Sequence, residues 1–494
     1  MAKLDIAKVA RQTVSEKIDM YHRHANKYVP ILLMLVIAAS AHPALAAERS
    51  LLAAERSVLP SGRSVRMERS VLAAERRVLL ARAQEKAEKK GHSASAGREK
   101  PPAPPLAVYD IETDRKFNEK TIDKIDKIVS KELYSAELAS KVWPDALRQA
   151  KGEILASKNL HELYQSINKP IRALKSSHCQ FVTTNDETYH FLHSLFSSFS
   201  KKLSIAKMDY TGMVTGGLTF QDNEVRYVLD GSPADKAGVK VGDKILSVDD
   251  KPYIGQSNFF NTANKLVRLT VLRGNDRKSL SLRPVKKDNA AGYVEAIEKS
   301  ARVIFSGRYK LGYVHFWCGG RDAHEAFLSA VTGKKLSETD GLILDLRDGY
   351  GGNSLEDIDV LYRNPEAFPI FVTKMRSGKS ETYKAYYDKP VVALINGGSR
   401  SGKELLAYSL KKAGRARLVG TTTAGAVLAG RLFPLNERSS LYLAIADGTV
   451  DGVRLEGRGV APDIEVQNNP HDPANDVQLA AAKNELLKEI ERKQ

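Results

Sequence analysis

A serine held at a turn between an apolar strand and a helix can serve as a nucleophile, and Ser399-Arg400-Ser401-Gly402-Lys403-Glu404 has that setting, after the apolar run 390–395 and before the helix-like run 404–413. A hydroxyl there can sit exposed at a helix N-terminus, where free backbone N–H groups and the helix dipole stabilise the negative charge that develops in acyl transfer. Serine is also a favoured N-cap, and such a turn taken alone is a cap more often than a catalytic site. A neutral hydroxyl is a weak nucleophile and needs a base. Histidines at 178, 190, 193, 315 and 324 could be weighed for that task; taken alone, each reads as a structural or surface residue, with His315 on a buried-looking strand. No His or Cys spacing supports a zinc site, and no phosphate-binding loop is present.

The elements that must position such a nucleophile are spread over 494 residues, enough for two to four domains. A net charge of +17 raises the question of nucleic acid. Residues 1–105 hold 19 Lys and Arg against 10 Asp and Glu, so about half the excess lies in a stretch that reads as non-globular, and no RNA or DNA module accompanies it. Nucleic acid is therefore not an expected partner. The apolar run 29–41 follows a basic segment and leads to Ala44-Leu45-Ala46, the pattern of a secretory signal over residues 1–46, too short for an ordinary membrane span. Export to the periplasm or beyond the cell is expected, with no stable membrane insertion after cleavage; an uncleaved anchor would make it a membrane-surface protein. The two cysteines, Cys179 and Cys318, read either as a pair or as two separate buried thiols.

Residues 47–107 combine a crude Ala-Ala-Glu-Arg repeat with a Lys-, Glu-, Ser- and Pro-rich run and read as a low-complexity linker. Over 108–205, apolar residues recur at helical spacing (Ile122, Ile125, Ile128, Val129; then Leu133, Leu138, Val142, Leu147), which predicts a helical N-terminal domain whose last helix, 160–174, runs into Ser176-Ser177-His178-Cys179. Residues 206–288 change to short strands and turns. Gly216-Gly217-Leu218-Thr219-Phe220, the strand 224–229, Gly231-Ser232-Pro233-Ala234-Asp235, and Val241-Gly242-Asp243-Lys244-Ile245 follow in an order that resembles a PDZ domain. The resemblance implies that Gly217, Leu218, Thr219 and Phe220 form a loop whose N–H groups take a peptide C-terminus. From 289 to 494, strands at 309–316, 341–346, 390–395 and 416–419 alternate with helices at 322–331 and 404–413, which predicts an α/β core, closed by an amphipathic helix over 476–492.

Three segments of that core fit together: Gly341-Leu342-Ile343-Leu344-Asp345-Leu346-Arg347-Asp348-Gly349-Tyr350-Gly351-Gly352, the serine turn, and Leu455-Glu456-Gly457-Arg458-Gly459-Val460-Ala461-Pro462-Asp463. Together they resemble the signature of the S41 serine peptidases, a family that includes the C-terminal processing proteases and the tricorn core. By that resemblance the nucleophile is the serine three residues before the glutamate, Ser401 with Glu404. Ser399 and Ser409 are then bystanders and Lys403 a solvated residue of the first helical turn. The family's processing enzymes use a lysine at the position held here by Ala426, which has no proton acceptor. The tricorn-type branch instead uses a Ser-His pair and a glutamate, matched here by Ser177-His178 and Glu456. The resemblance makes His178 the general base, with Glu456 and Ser177 holding the catalytic side chains. It draws the oxyanion donors from the N–H groups of Gly402 and of Gly351 or Gly352, while Asp345 and Asp463 shape turns.

The implied architecture is multidomain α/β: a helical N-terminal domain, a β-rich PDZ-like domain and a crotonase-like α/β peptidase core. The implied function is a secreted serine endopeptidase acting on protein or peptide substrates, with no metal or organic cofactor and a PDZ domain that binds or gates substrate. The rival reading is a non-catalytic peptide- or ligand-binding protein on the same fold, which the missing lysine favours.

Overall fold

The computed structural model describes residues 111–197, 207–217, 220–363, 366, 368–469, 472 and 475–493. The expected signal segment 1–46 and linker 47–107 lie outside the described residues, as do Leu218 and Thr219 of the expected carboxylate loop.

The helical periodicity of the first described stretch corresponds to α1 (Arg115–Glu132), α2 (Trp143–Ala156) and α3 (Leu160–Ala173), with a short π-helical turn, Leu138–Val142, leading into α2. Two ends carry the expected caps. The Asp114 carboxylate accepts from Phe117 N at 2.6 Å, and the Asn159 side-chain oxygen accepts from Glu162 N at 2.8 Å. Ile122, Ile125, Val129, Trp143, Ile154, Leu163 and Ile167 are buried. Their core is completed from far along the chain by Leu435, Leu441 and Leu443. Burial of each such side chain is worth about 1.5–3 kcal/mol, which ties the helices to the strands that supply those leucines.

The chain leaves α3 through two residues with positive φ, Lys175 (48°) and His178 (57°), and enters β1 (Gln180–Thr183) before α4 (Glu187–Phe196). The region read as wholly helical to residue 205 thus contains a strand. The apolar pair Phe181-Val182 is buried there because β1 pairs antiparallel with a hairpin strand of the core.

The β-rich domain begins with β2 (Met208–Tyr210), β3 (Met213–Gly217) and β4 (Phe220–Val228). A short helix α5 (Pro233–Lys236) follows, capped by the Ser232 hydroxyl accepting from Asp235 N. Then come β5 (Lys244–Val248), β6 (Lys251–Pro252), β7 (Val267–Arg273), β8 (Asp276–Leu282) and β9 (Val285–Lys287). The sheet runs β3-β4-β5-β7-β8, with β6 beside β5, and β2 pairs with β9 where the chain enters and leaves. It has its own core around Val225, Ile245, Phe259, Leu269 and Val271. Arg273 clasps Asp243 with Nε and Nη2, both at 2.7 Å, in the bidentate geometry that favours arginine.

The remaining elements are α6 (Asn289–Ser300), β10 (Arg302–Ser306), β11 (Tyr309–His315), α7 (Arg321–Thr332), α8 (Lys334–Ser337) and β12 (Gly341–Asp345). The hairpin β13 (Ile370–Lys374) and β14 (Ser380–Lys384) precedes β15 (Val391–Ile395), α9 (Gly402–Lys412) and β16 (Ala416–Gly420). A second hairpin, β17 (Ala429–Asn436) and β18 (Ser439–Ala446), is followed by β19 (Ile464–Glu465) and α10 (Val477–Arg492). Strands order as β10-β11-β12-β15-β16-β19, parallel except for β10. Both faces are covered, so the central strands β12 and β15 read as near-continuous apolar runs rather than alternating. Leu342, Leu344, Val391, Ala393 and Ile395 pack with α6, α7 and α9, whereas Ile343, Val392 and Leu394 pack under Leu486 and Ile490 of α10.

One ionic cluster anchors the end of β12. Arg347 donates from Nε and Nη2 to Asp345 and from Nη1 and Nη2 to Asp476, at the start of α10, at 2.9 and 2.8 Å. Burial opposes charge on Asp345, but the Arg347 guanidinium outweighs it and holds the carboxyl below the usual range. Asp345→Asn should cost about 3 kcal/mol in denaturant unfolding at neutral pH, because it breaks a buried pair. A depressed carboxylate contributes its full stability above its unfolded pKa of about 4 and loses it as pH falls further. The gap between wild type and variant should therefore narrow below about pH 4, which unfolding midpoints across pH will test.

Candidate active site

Ser401 stands after β15 as the residue before the first turn of α9, with φ 57° and ψ −126°. A side chain there is strained, by about 1–3 kcal/mol, and persists only where its surroundings over-determine it. They do so through hydrogen bonds. Ser401 N donates to Ala426 O at 2.8 Å and to Glu404 Oε2 at 3.2 Å. The Glu404 carboxylate, wholly buried, also accepts from Thr423 Oγ1 (2.6 Å), Gly425 N (2.7 Å) and Ala426 N (2.7 Å). Burial pushes its carboxyl above the ordinary value, with these four donors acting against the shift. Ser399, the other serine of the turn, is buried and spends its hydroxyl on Leu346 O, at 2.9 Å, while accepting from Asn396 N.

His178 comes to Ser401 from 223 residues upstream. Its Nε2 lies 3.1 Å from Ser401 Oγ, and its Nδ1 lies 2.8 Å from Ser177 Oγ. Ser177 Oγ in turn meets Glu456 Oε2 at 2.9 Å, and Ser177 N donates to Glu456 Oε1 at 3.1 Å. Val427 N fixes the carboxylate from the other side at 2.8 Å. The chain of bonds assigns the protons. A carboxylate only accepts, so the single proton of Ser177 goes to Glu456 and its lone pairs receive Nδ1–H. That leaves Nε2 unprotonated and facing the Ser401 hydroxyl. His178 is 5% exposed; burial first, and the Arg400 charge second, pull its imidazole down to about 3, so the ring is neutral across the physiological range.

The glycines bring two backbones together. A Cβ on Gly351 would stand 2.5 Å from Ser401 Cβ, and one on Gly402 would stand 2.4 Å from Asn353 N, so neither position accommodates a side chain. Gly402 N belongs to the first helical residue and has no intrahelical acceptor. The loop of Gly351 and Gly352 is pinned by Gly319 N to Gly351 O at 2.8 Å and by Tyr350 N to Trp317 O at 2.9 Å. Tyr350 adds a side-chain anchor. Its hydroxyl donates to Glu187 Oε2 at 2.7 Å, while Glu187 Oε1 accepts from Tyr293 at 2.9 Å.

Several positions read differently from their sequence alone. Lys403, expected in solvent, is wholly buried. Its ammonium donates to Asp348 O at 2.5 Å and approaches Arg347 O at 3.4 Å, because the loop leaving β12 turns its carbonyls toward the first turn of α9. Burial pulls the amine down to about 8. Ala426 presents its carbonyl to Ser401 and only a methyl as side chain. Asp345 shapes a turn by accepting from Arg347 N at 3.0 Å, whereas the Asp463 carboxylate accepts from Leu418 N at 2.8 Å and so ties two separate segments together rather than a local turn. His190, His193 and His315 are engaged with Thr184 O, Ser440 Oγ and Arg347 O, and His324 lies 3.4 Å from Asp357. Both cysteines are free thiols, pushed by burial up to about 11 for Cys179 and about 12 for Cys318. Gly217 and Phe220 end the β3 and β4 strands that flank the expected carboxylate loop. Among the described residues, no group of three or more His, Cys, Asp or Glu side chains could hold a metal ion, and no helix is long and apolar enough to cross a membrane.

Glu187, Glu404 and Lys403 carry much of this architecture. Only the placement of Glu404 three residues after Ser401 was a signal in the sequence. Lys403 and Glu187 gave none, since a charge in a first helical turn ordinarily reads as solvated.

Residues 310–466 match the model of peptidase family S41, and residues 224–273 match that of the PDZ domain. The carboxy-terminal processing protease CtpB of Bacillus subtilis is 27% identical over 266 residues, covering 50% of this chain and 53% of that protein. The carboxy-terminal-processing protease of Bartonella bacilliformis is 28% identical over 308 residues, covering 56% of this chain and 68% of that protein. The match thus spans about half to two thirds of these relatives. The crystal structure of the tricorn protease aligns at 20% identity with a TM-score of 0.45, covering 76% of this chain and 37% of that one. Residues 310–466 are thus similar to peptidase family S41, and a segment similar to a PDZ domain precedes them.

Proposed function

We propose that the protein is an exported serine endopeptidase that hydrolyses peptide bonds through an acyl-enzyme on Ser401, with His178 rather than a lysine as general base. The observation that carries this reading is the 3.1 Å approach of His178 Nε2 to Ser401 Oγ, in a ring oriented by Ser177 and Glu456. Nε2 takes the Ser401 proton as Oγ attacks the scissile carbonyl carbon. The oxyanion forms where the N–H of Gly402 and an N–H from Gly351 or Gly352 can meet it. The C–N bond then breaks, with the amine leaving on the proton returned by Nε2, and water hydrolyses the ester by the same base. Ser177 passes the influence of the Glu456 carboxylate to the imidazolium that forms transiently.

In this reading the doubly covered six-stranded sheet is the crotonase-like core of the family. The PDZ domain takes a peptide C-terminus at the Gly217, Leu218, Thr219 and Phe220 loop, so that it binds or gates substrate. The basic and apolar pattern of residues 1–46 supports periplasmic or extracellular action. The rival reading, a non-catalytic binding protein, draws on Ala426 in the place of the family lysine. It requires that the purified protein ignore a fluorophosphonate.

Labelling with a fluorophosphonate probe tests the assignment. Wild type should label, Ser401→Ala should not, and His178→Ala should label at least about a thousandfold more slowly. Equal labelling of Ser401→Ala would place the nucleophile elsewhere. Ser177→Ala and Glu456→Gln should each slow labelling by about ten- to a thousandfold, and the double variant should lose little more than the worse single one, because the two act as a unit. Fully additive losses would separate them. The base works when neutral, and its pKa is drawn down to about 3, so the labelling rate should stay level as pH drops through 6.5 and fall only in strong acid. An acid limb centred near 6.5, the ordinary histidine value, would contradict the buried neutral imidazole.

A further inference from the structure

The cavity at Ser401 adjoins a larger cleft of about 290 Å³ bounded by α3, β1, the first strands of the PDZ domain and the loop after β12. Five charged or imidazole side chains line that cleft: His161, Asp186, Glu187, Arg226 and Arg400. Four are already engaged within the protein. His161 bonds Gln165 at 3.0 Å, and Asp186 accepts from Thr183 N and Thr183 Oγ1, both at 2.8 Å. Glu187 accepts from Tyr350, Tyr293 and Asn289, and Arg226 pairs with Asp348 at 3.2 Å. Arg400 differs. Among the described residues its guanidinium has no hydrogen-bond or ion-pair partner, and it lines both the cleft and the smaller cavity that contains His178 and Ser401.

A guanidinium carries five donors in a planar fork that matches a carboxylate with two parallel bonds. Left unmatched beside a neutral imidazole in a partly enclosed cleft, it is a cation awaiting an acceptor, and in a peptide the anionic acceptor is a carboxylate. Its place in the chain, immediately before the nucleophile, puts that acceptor next to the bond being cut. We propose that Arg400 forms a subsite for a substrate carboxylate beside the scissile bond, supplied by an Asp or Glu side chain or by the terminal carboxylate of the substrate. This rests on the peptidase reading and names the substrate class of that site.

The test uses matched peptide pairs that differ only in Asp or Glu against Asn or Gln at single positions flanking the cleaved bond, and pairs with free or amidated C-termini. Rates are normalised to the fraction of enzyme that labels with fluorophosphonate, and the readout is the ratio of kcat/KM within each pair. Wild type should favour the carboxylate member by about ten- to a hundredfold. Arg400→Gln should bring the ratio near one, Arg400→Glu should invert it, and Arg400→Lys should keep part of it. Preference confined to the free C-terminus identifies the terminal carboxylate as the source; preference for Asp or Glu identifies the side chain. A wild-type ratio near one, or a ratio unchanged in Arg400→Gln, overturns the subsite. Binding of the same pairs to Ser401→Ala by fluorescence anisotropy reads the subsite without hydrolysis. If wild type fails to label but Ser401→Ala binds the carboxylate peptides in an Arg400-dependent way, the peptidase reading fails and the subsite stands.

Discussion

The site depends on one backbone pairing, that of β1 with β18. His178 and Ser401 lie 223 residues apart in sequence, and their side chains can meet at 3.1 Å only if the two segments are held together. The antiparallel register Gln180↔Tyr442, Phe181↔Leu441, Val182↔Ser440 and Thr183↔Ser439 fixes the chain two residues beyond His178 onto the core hairpin. Phe181 and Leu441 then share an apolar core with the helices, so a slip by one residue would turn that packing outward. The helical segment is in this sense an arm of the α/β core, and its docking is a structural condition of the site's geometry.

The second constraint is backbone strain at Ser401. Ser401 adopts a backbone conformation that ordinarily belongs to glycine, and the Glu404 carboxylate ties it to the segment 423–426. Gly351 lets the neighbouring loop approach until only hydrogen fits between the two backbones. Lys403 holds that loop from beneath through its carbonyls, and Tyr350 holds it from above through Glu187. Lys403 and Glu404 are buried here against local hydrogen-bond partners, which offset part of the cost of removing each charge from water.

Periodicity and motif spacing carried the reading of the sequence a long way. Ile122, Ile125 and Val129 are buried on one side of a helix, β15 is apolar throughout, and the serine turn lies between strand and helix as expected. What the sequence could not convey was contact across long separations. Ser177 stands between His178 and Glu456 as a bridge, and nothing local to residue 177 announces a partner 279 positions away. Lys403 reads as solvated because its acceptors are loop carbonyls some 55 residues earlier. The β1 strand is only four residues long, inside a stretch whose helical period dominates, so its partner strand decides its state.

The clamp between Arg347 and Asp476 gives the fold a temporal order. The loop that carries Gly351 leaves β12 under a guanidinium whose second carboxylate arrives with α10, and that helix also roofs one face of the central sheet. During synthesis Ser401 emerges well before α10 does. Until α10 packs, the sheet exposes Ile343, Val392 and Leu394 to water and Arg347 lacks half of its ligands. The packing around β12 and the loop that follows it is therefore complete only once α10 has docked.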